Sequence, residues 1–352
     1  MKRLWETLLG RAEPAAELGT APPTLPAAAA ESFALPVTAH ASLNAAEVSD
    51  QAALIFQEKA NNQIPHLLGC MTRLSWQSAD FHREFMQFFE NHGIAAARLL
   101  RMGNNPYFVR GLRSTTNSLG QAIAWLGMST VVEGALAGAA RAIFPAFAGR
   151  PPFDYASIFN HSLAVAVATR RIAVTVCNKP ATDKTAFTIG LLHDVGLVGI
   201  GAVPAAQPAL FDAANAQIMN GTRLADEELT RFGFTHSDCG AELAGIWAIP
   251  RIIQTVIARH HHPVVDGSDD EMTYIHCLKA AEWICFSMGI GYTDIGPLAK
   301  DEYAQSWSWL GLDHGHMAPH LMESITGEIR QMERIGWFTA YSAAAVQQGT
   351  ET

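Results

Sequence analysis

The stretch Ile189-Gly-Leu-Leu-His-Asp-Val-Gly-Leu-Val198 sets a histidine and an aspartate side by side inside an otherwise apolar run. A carboxylate in such a frame is costly to bury unless it is paired or bound to a cation. Asp183 stands ahead of the run at a capping position, so Thr185 onward reads as a helix that carries into His193-Asp194. Adjacent helical residues point about 100° apart, so the pair can grip one ion lying against the turn or two neighbouring ions. The dipeptide alone proves nothing, because composition predicts about 0.6 His-Asp pairs by chance in a chain of this make-up. Its apolar setting is what calls for an explanation.

Outward from this run the pattern is helical. Ser118 with Gln121 fits a capping box before Ala122-Ile-Ala-Trp-Leu126, and Gly127 is a natural stop. Ser129 is placed to cap the helix that follows. Thr235 or Ser237 can cap the helix through Trp247, Pro250 suits the first turn of the next, and Pro263 ends it. Leu278–Met288 and Met317–Met332 continue the helical spacing of apolar residues. Alternating apolar and polar runs bounded by turns are absent, so the expected fold class is all-α, a multi-helix bundle. Residues 11–48 hold 13 alanines and 5 prolines with too few aromatics for a core, and read as a linker. The expected organisation is an Ala/Pro-rich segment over 1–48, a first helical part over 49–150, and a second over 151–345.

Composition narrows the classes. The chain has 352 residues, 49% hydrophobic and 16% charged, with a formal net charge of −9. That balance disfavours a general nucleic-acid binder, which needs a basic face. The five cysteines, Cys70, Cys177, Cys239, Cys277 and Cys285, form no CxxC pair, which points to a reducing compartment and away from a thiolate–zinc framework. Residues 1–10 carry Lys2 and Arg3 among leucines, but Glu6 interrupts the apolar run and no small-residue cleavage site follows. They read as a frayed terminus, or alternatively as a short amphipathic helix. The most apolar stretches are broken by Glu133, by Arg170 and Arg171, or by His193 and Asp194, so no bilayer span is expected.

Histidine occurs 14 times, and several cases share the apolar setting. His161 lies in Phe159-Asn-His-Ser-Leu-Ala-Val-Ala166, and His260 and His261 close a helix that begins with Ile252-Ile253. Neutral imidazoles with one or two carboxylates suit a first-row transition metal better than calcium or magnesium. His262, His276, His314, His316 and His320 belong to no such pattern and are expected at the surface or in supporting roles.

The order His161, His193-Asp194, His236, His260-His261 and a late carboxylate resembles the HD superfamily of metal-dependent phosphohydrolases, and more closely the HDOD domain, a bacterial signalling relative. Ile64-Pro-His-Leu-Leu68, Ala97-Arg-Leu-Leu-Arg-Met-Gly-Asn-Asn-Pro-Tyr-Phe108 and Ser118-Leu-Gly-Gln-Ala-Ile-Ala-Trp-Leu-Gly127 carry the first half of the resemblance. Gly190-Leu-Leu-His-Asp-Val-Gly196, Phe232-Gly-Phe-Thr-His-Ser-Asp-Cys-Gly240, Trp247-Ala-Ile-Pro250 and His260-His-His-Pro263 carry the second. It implies an HD-like helical bundle with a preceding helical subdomain, and metal ligands at His161, His193, Asp194, His236, His260, His261 and Glu282. Glu282 stands where the family has an aspartate. The implied cofactor is one or two divalent transition-metal ions such as Fe, Mn or Zn. The resemblance also implies signalling partners from two-component or cyclic-dinucleotide pathways, and a cytoplasmic, bacterial setting.

Departures bear on catalysis. Phosphodiesterase relatives with the HD-GYP signature carry a lysine just after His-Asp-x-Gly, where this chain has Leu197. Their Gly-Tyr-Pro segment is replaced by His262-Pro-Val-Val-Asp-Gly267. The expectation is a regulatory module without catalysis that retains the metal site. The alternative is a metal-dependent phosphohydrolase.

Overall fold

The computed structural model describes residues 44–59, 81, 83, 85–87, 89, 93–105, 115–143, 155–177, 182–220, 222–262, 266–290, 300–312 and 317–334. The amphipathic start, the alanine- and proline-rich stretch to residue 43, Ile64-Pro-His-Leu-Leu68, Pro106-Tyr-Phe108, Pro263, His314 and His316 lie outside them. The described residues are all-helical and contain no strand. In chain order the helices are α1 (Ala45–Lys59), α2 (Gly93–Gly103), α3 (Leu119–Leu126), α4 (Met128–Ile143), α5 (Tyr155–Cys177), α6 (Thr182–Leu192) and α7 (Val195–Ala202). They continue with α8 (Gln207–Asn220), α9 (Leu224–Phe232), α10 (His236–Ile246), α11 (Arg251–Arg259), α12 (Asp269–Ser287), α13 (Lys300–Trp309) and α14 (Met317–Arg334).

Three segments form the centre. In α5 every residue from Ile158 to Thr169 is buried, in α6–α7 every residue from Ala186 to Gly201, and in α12 every residue from Ile275 to Cys285. Helices apolar on all sides belong inside a protein, where each fully buried Leu, Ile or Val contributes about 1.5–3 kcal/mol. The segment Lys184–Ala202 is apolar enough to cross a membrane by composition, yet 89% of it is buried within the fold, and it is a core element. α5 packs on α6 and α12, α7 on α10, and α10 on both α1 and α11. Close approach depends on glycine at two contacts. A Cβ on Gly190 would lie 2.6 Å from Ala166 Cα, and one on Gly196 would lie 1.8 Å from the His236 carbonyl oxygen.

Several boundaries differ from expectation. The first described helix starts at Ala45, with Asn44 and Glu47 exchanging backbone and side-chain hydrogen bonds, so residues 45–48 of the expected linker are helical. Ser118 caps α3, accepting from the Gln121 amide, but its own N–H donates to Thr116 Oγ1 at 3.0 Å rather than to Gln121, so the expected capping box is half formed. Ser129 instead lies inside α4, because that helix begins at Met128, directly after Gly127 turns the chain at φ 80°. Asp183 falls in the first turn of α6 rather than ahead of it. Pro250 is the N-cap of α11, one position before the first turn. Of the two candidates for α10, Thr235 is the cap, with Asp238 completing a capping box. α12 begins at Asp269, well before Leu278, behind a second capping box made by Ser268 and Glu271.

Candidate metal centre

The central correction concerns His193 and Asp194. The helix does not carry into them: α6 ends at Leu192, α7 begins at Val195, and the pair forms the turn between. His193 Nδ1–H donates to the Gly190 carbonyl at 2.8 Å, occupying an acceptor of the last helical turn. Asp194 sits at φ −98°, ψ 13°, the sparsely populated bridge region where residues of functional sites often lie. The break leaves both side chains in the buried interior, with His193 Nε2 3.1 Å from Asp194 Oδ2.

His260 repeats the device at the end of α11. Its Nδ1–H donates to the Ile257 carbonyl, three residues back, at 2.6 Å. A carbonyl only accepts, so the proton sits on Nδ1 and the Nε2 lone pair faces inward in both histidines. His236, the first residue of α10, reaches the same end by another route. Its backbone N–H and its Nδ1–H both donate to Glu228 Oε2, at 2.8 and 2.7 Å. His161 comes from the buried middle of α5 and Glu282 from the buried middle of α12.

All seven residues expected as ligands meet here. Their donor atoms fall into two groups, Asp194/His236/His260/His261 and His161/His193/Glu282, each with its atoms within 4.8 Å of one another. Asp194 stands between the groups. Its Oδ1 lies 3.5 Å from His236 Nε2 and 3.8 Å from His260 Nε2, and its Oδ2 lies 3.1 Å from His193 Nε2 and 3.7 Å from His161 Nε2. Glu282 Oε1 is 3.6 Å from His193 Nε2, and His236 Nε2 is 3.0 Å from His261 Nε2. Two ligands bound about 2.1 Å from one ion lie roughly 3.0–3.4 Å apart, close to this spacing.

The donor set fits a transition metal on a further ground. Burial, then the neighbouring His261, hold His260 well below the ordinary imidazole range, so it is neutral. Its buried Nε2 has no hydrogen-bond partner among the described residues, and at 3.8 Å the Asp194 carboxylate is too far to supply one. A neutral nitrogen lone pair facing a carboxylate is satisfied by a cation between them. Three buried thiols, Cys239, Cys277 and Cys285, are outside disulfides and outside both donor groups, and burial pushes the Cys239 thiol up to about 12.

Several supporting residues escaped the sequence reading. Glu228 is fully buried beside the centre. Arg223 Nη1 donates to the His261 carbonyl at 3.1 Å and Lys279 Nζ to the His262 carbonyl at 2.9 Å, so two cations hold the turn that carries the His-His pair. The detectable signal was weak. Leu224, Ala225 and Glu228 share the buried face of α9, which singles out Glu228 from Glu227 only once the helix bounds are known. Of the other histidines, His262 and His320 are exposed. His276 is buried, 3.0 Å from Ser306 Oγ and stacked on Trp309 at 4.3 Å.

An all-helical bundle that gathers histidines and carboxylates in its interior is what the resemblance to the HDOD domain implies. The model of the HDOD domain matches residues 73–263, more than half of the sequence, and the chain belongs to the HDOD family. An HDOD domain protein of unknown function from Geobacter sulfurreducens shares the fold at a TM-score of 0.62 and 18% identity, over 82% of this chain and 99% of that one. A candidate signal transduction protein from Marinobacter aquaeolei VT8 aligns at 0.59 and 16% identity, over 87% of this chain and 68% of its own. A candidate phosphohydrolase from Shewanella amazonensis SB2B aligns at 0.53 and 18% identity, over 80% of this chain and 96% of its own. No functionally curated protein matches the chain in sequence.

Proposed function

We propose that this chain is a bacterial, cytoplasmic regulatory module that holds one or two divalent transition-metal ions in an HD-type centre and acts through protein contacts rather than by turnover. The observation that carries the metal part is the convergence of His161, His193, Asp194, His236, His260, His261 and Glu282 into two donor groups meeting at Asp194. Bound there, such ions would supply Lewis acidity and lower the pKa of a coordinated water. The protein's own part is to orient the ligands: His193 and His260 through backbone carbonyls, His236 through Glu228.

Burial supports the non-catalytic part. Six of the seven donor residues are at most 1% exposed and His261 is 6% exposed. Leu197, at the position of the lysine in phosphodiesterase relatives, is fully buried. The cations beside the centre, Arg223 and Lys279, already donate to backbone carbonyls. The signalling partners are the part that rests on family resemblance, in keeping with the fold shared with the Marinobacter protein.

The complete ligand set favours a second reading, a phosphohydrolase acting on phosphodiesters such as cyclic dinucleotides. Turnover assays on bis(p-nitrophenyl) phosphate and cyclic dinucleotides with added Mn²⁺, Fe²⁺ or Zn²⁺ separate the two. The regulatory reading expects no rate above that of Asp194→Ala. Metal-dependent turnover that Asp194→Ala abolishes would replace it with the enzyme reading.

A further inference from the structure

The two donor groups are not equivalent. One offers three imidazoles and a carboxylate oxygen, the other two imidazoles and the carboxylate of Glu282. Charged side chains stand behind two imidazoles of the first group. On the three-histidine side, helix α9 supplies two supports: Glu228 accepts both the Nδ1–H and the backbone N–H of His236, and Arg223 holds the His261 carbonyl. The third imidazole, His260, is fixed by the Ile257 carbonyl, with Ser237 Oγ 3.4 Å from the same nitrogen.

Resting on the reading that this cluster holds metal, we propose that Glu228 is a positioning residue that makes the three-histidine position the tighter of two unequal metal positions, filled before His161/His193/Glu282. A carboxylate accepting the far N–H of a ligating imidazole fixes its tautomer and raises the basicity of the other nitrogen. Glu228 is buried, so dissolved salt screens its contact with His236 little. Donor type works in the same direction. Imidazole-rich sites favour Zn²⁺, Co²⁺ and Ni²⁺, whereas a larger carboxylate share favours Mn²⁺. The second ion also meets a shared Asp194 carboxylate already partly neutralised by the first, and a like charge close by.

Calorimetric titration of the metal-stripped full chain with Zn²⁺, and separately with Mn²⁺, tests this. The wild type is expected to show two resolved steps, the stronger being the more selective for Zn²⁺ over Mn²⁺. Glu228→Gln, which keeps the shape and loses the charge, is expected to weaken the stronger position about 10–100-fold and leave the other unchanged. Glu282→Gln is expected to do the reverse. Arg223→Gln changes a partly exposed side chain and gives a second handle, with a smaller weakening on the same side. A role in folding alone predicts a lower melting temperature of the metal-free variant with both steps weakened together, and that result overturns the inference. So does Glu228→Gln leaving the stronger step untouched. Two ions bound with equal affinity sink this inference alone, whereas a wild-type chain that binds no ion sinks the metal reading beneath it as well.

Discussion

Asp194 is in the three-histidine group, where its Oδ1 faces His236, and its Oδ2 faces His193 of the other group at 3.1 Å. Asp194→Asn is therefore expected to lower metal content at both positions, whereas His161→Ala is expected to empty only the two-histidine side. Elemental analysis of the purified variants checks both, and a normal content in Asp194→Asn contradicts the bridging arrangement. His276 gives a test outside the centre. Burial, then nearby Lys279, pushes its imidazole down to about 4. The unfolded chain, with an ordinary value of about 6.5, binds more protons between those limits. His276 thus favours the folded state fully above about pH 6.5 and loses that contribution as the pH falls toward 4. Imidazole NMR should report a titration near 4, and His276→Gln should flatten the acid limb of the stability curve; a midpoint near 6.5 contradicts the burial. Residues of this kind differed in how far they could be read from the sequence. The seven donors were legible because their order follows a family pattern. Glu228 was not, since nothing in Leu224-Ala-Asp-Glu-Glu-Leu-Thr-Arg-Phe232 distinguishes it from Glu227 before the helix is docked.

The elements bring these residues together through close contacts and helix ends. Gly196 lets α7 lie against the start of α10, where an added Cβ would meet the His236 carbonyl oxygen at 1.8 Å. Backbone atoms cannot yield as a side chain can. Gly196→Ala is therefore expected to exceed the ordinary overpacking cost of about 1–3 kcal/mol and to disturb metal binding through His236. Denaturant melts with and without metal measure both effects, and a wild-type melt contradicts the packing. At the other end of α10, Ala248 adopts φ 54°, and Ile249 N–H donates to the Ala244 carbonyl in a Schellman-type stop. Ala248→Gly relieves the left-handed strain and is expected to stabilise by about 0.5–1 kcal/mol, net of the greater freedom it gives the unfolded chain. A loss of stability contradicts that account. Element types were legible from apolar spacing together with caps, proline and glycine stops and the absence of alternating runs. Their ends were less so: the break at His193-Asp194 reads as continuous helix in sequence, because the imidazole that competes for the Gly190 carbonyl belongs to a residue compatible with a helix.

At the scale of the whole molecule, three buried segments, α5, α6–α7 and α12, each place donor groups at the centre, and α10 and α11 close it from the other side. Ions held there tie together elements distant in sequence, so occupancy stabilises the folded state by mass action, about 2.7 kcal/mol at a hundredfold excess over the dissociation constant. A regulatory module of this design would respond to metal supply through its stability and shape rather than through product. The helical class was legible in the sequence, and so, through family resemblance, were the seven residues whose side chains converge. The division into two groups was not, because it depends on which oxygen of Asp194 faces which helix, and tertiary packing alone decides that. The most direct test is metal stoichiometry on freshly purified protein, with the melting temperature read before and after chelation. The account predicts one to two equivalents of a divalent transition metal, a lower melting temperature on removal, and loss of both effects in Asp194→Asn. A metal-free protein whose melting temperature neither chelator nor Asp194→Asn alters would contradict it.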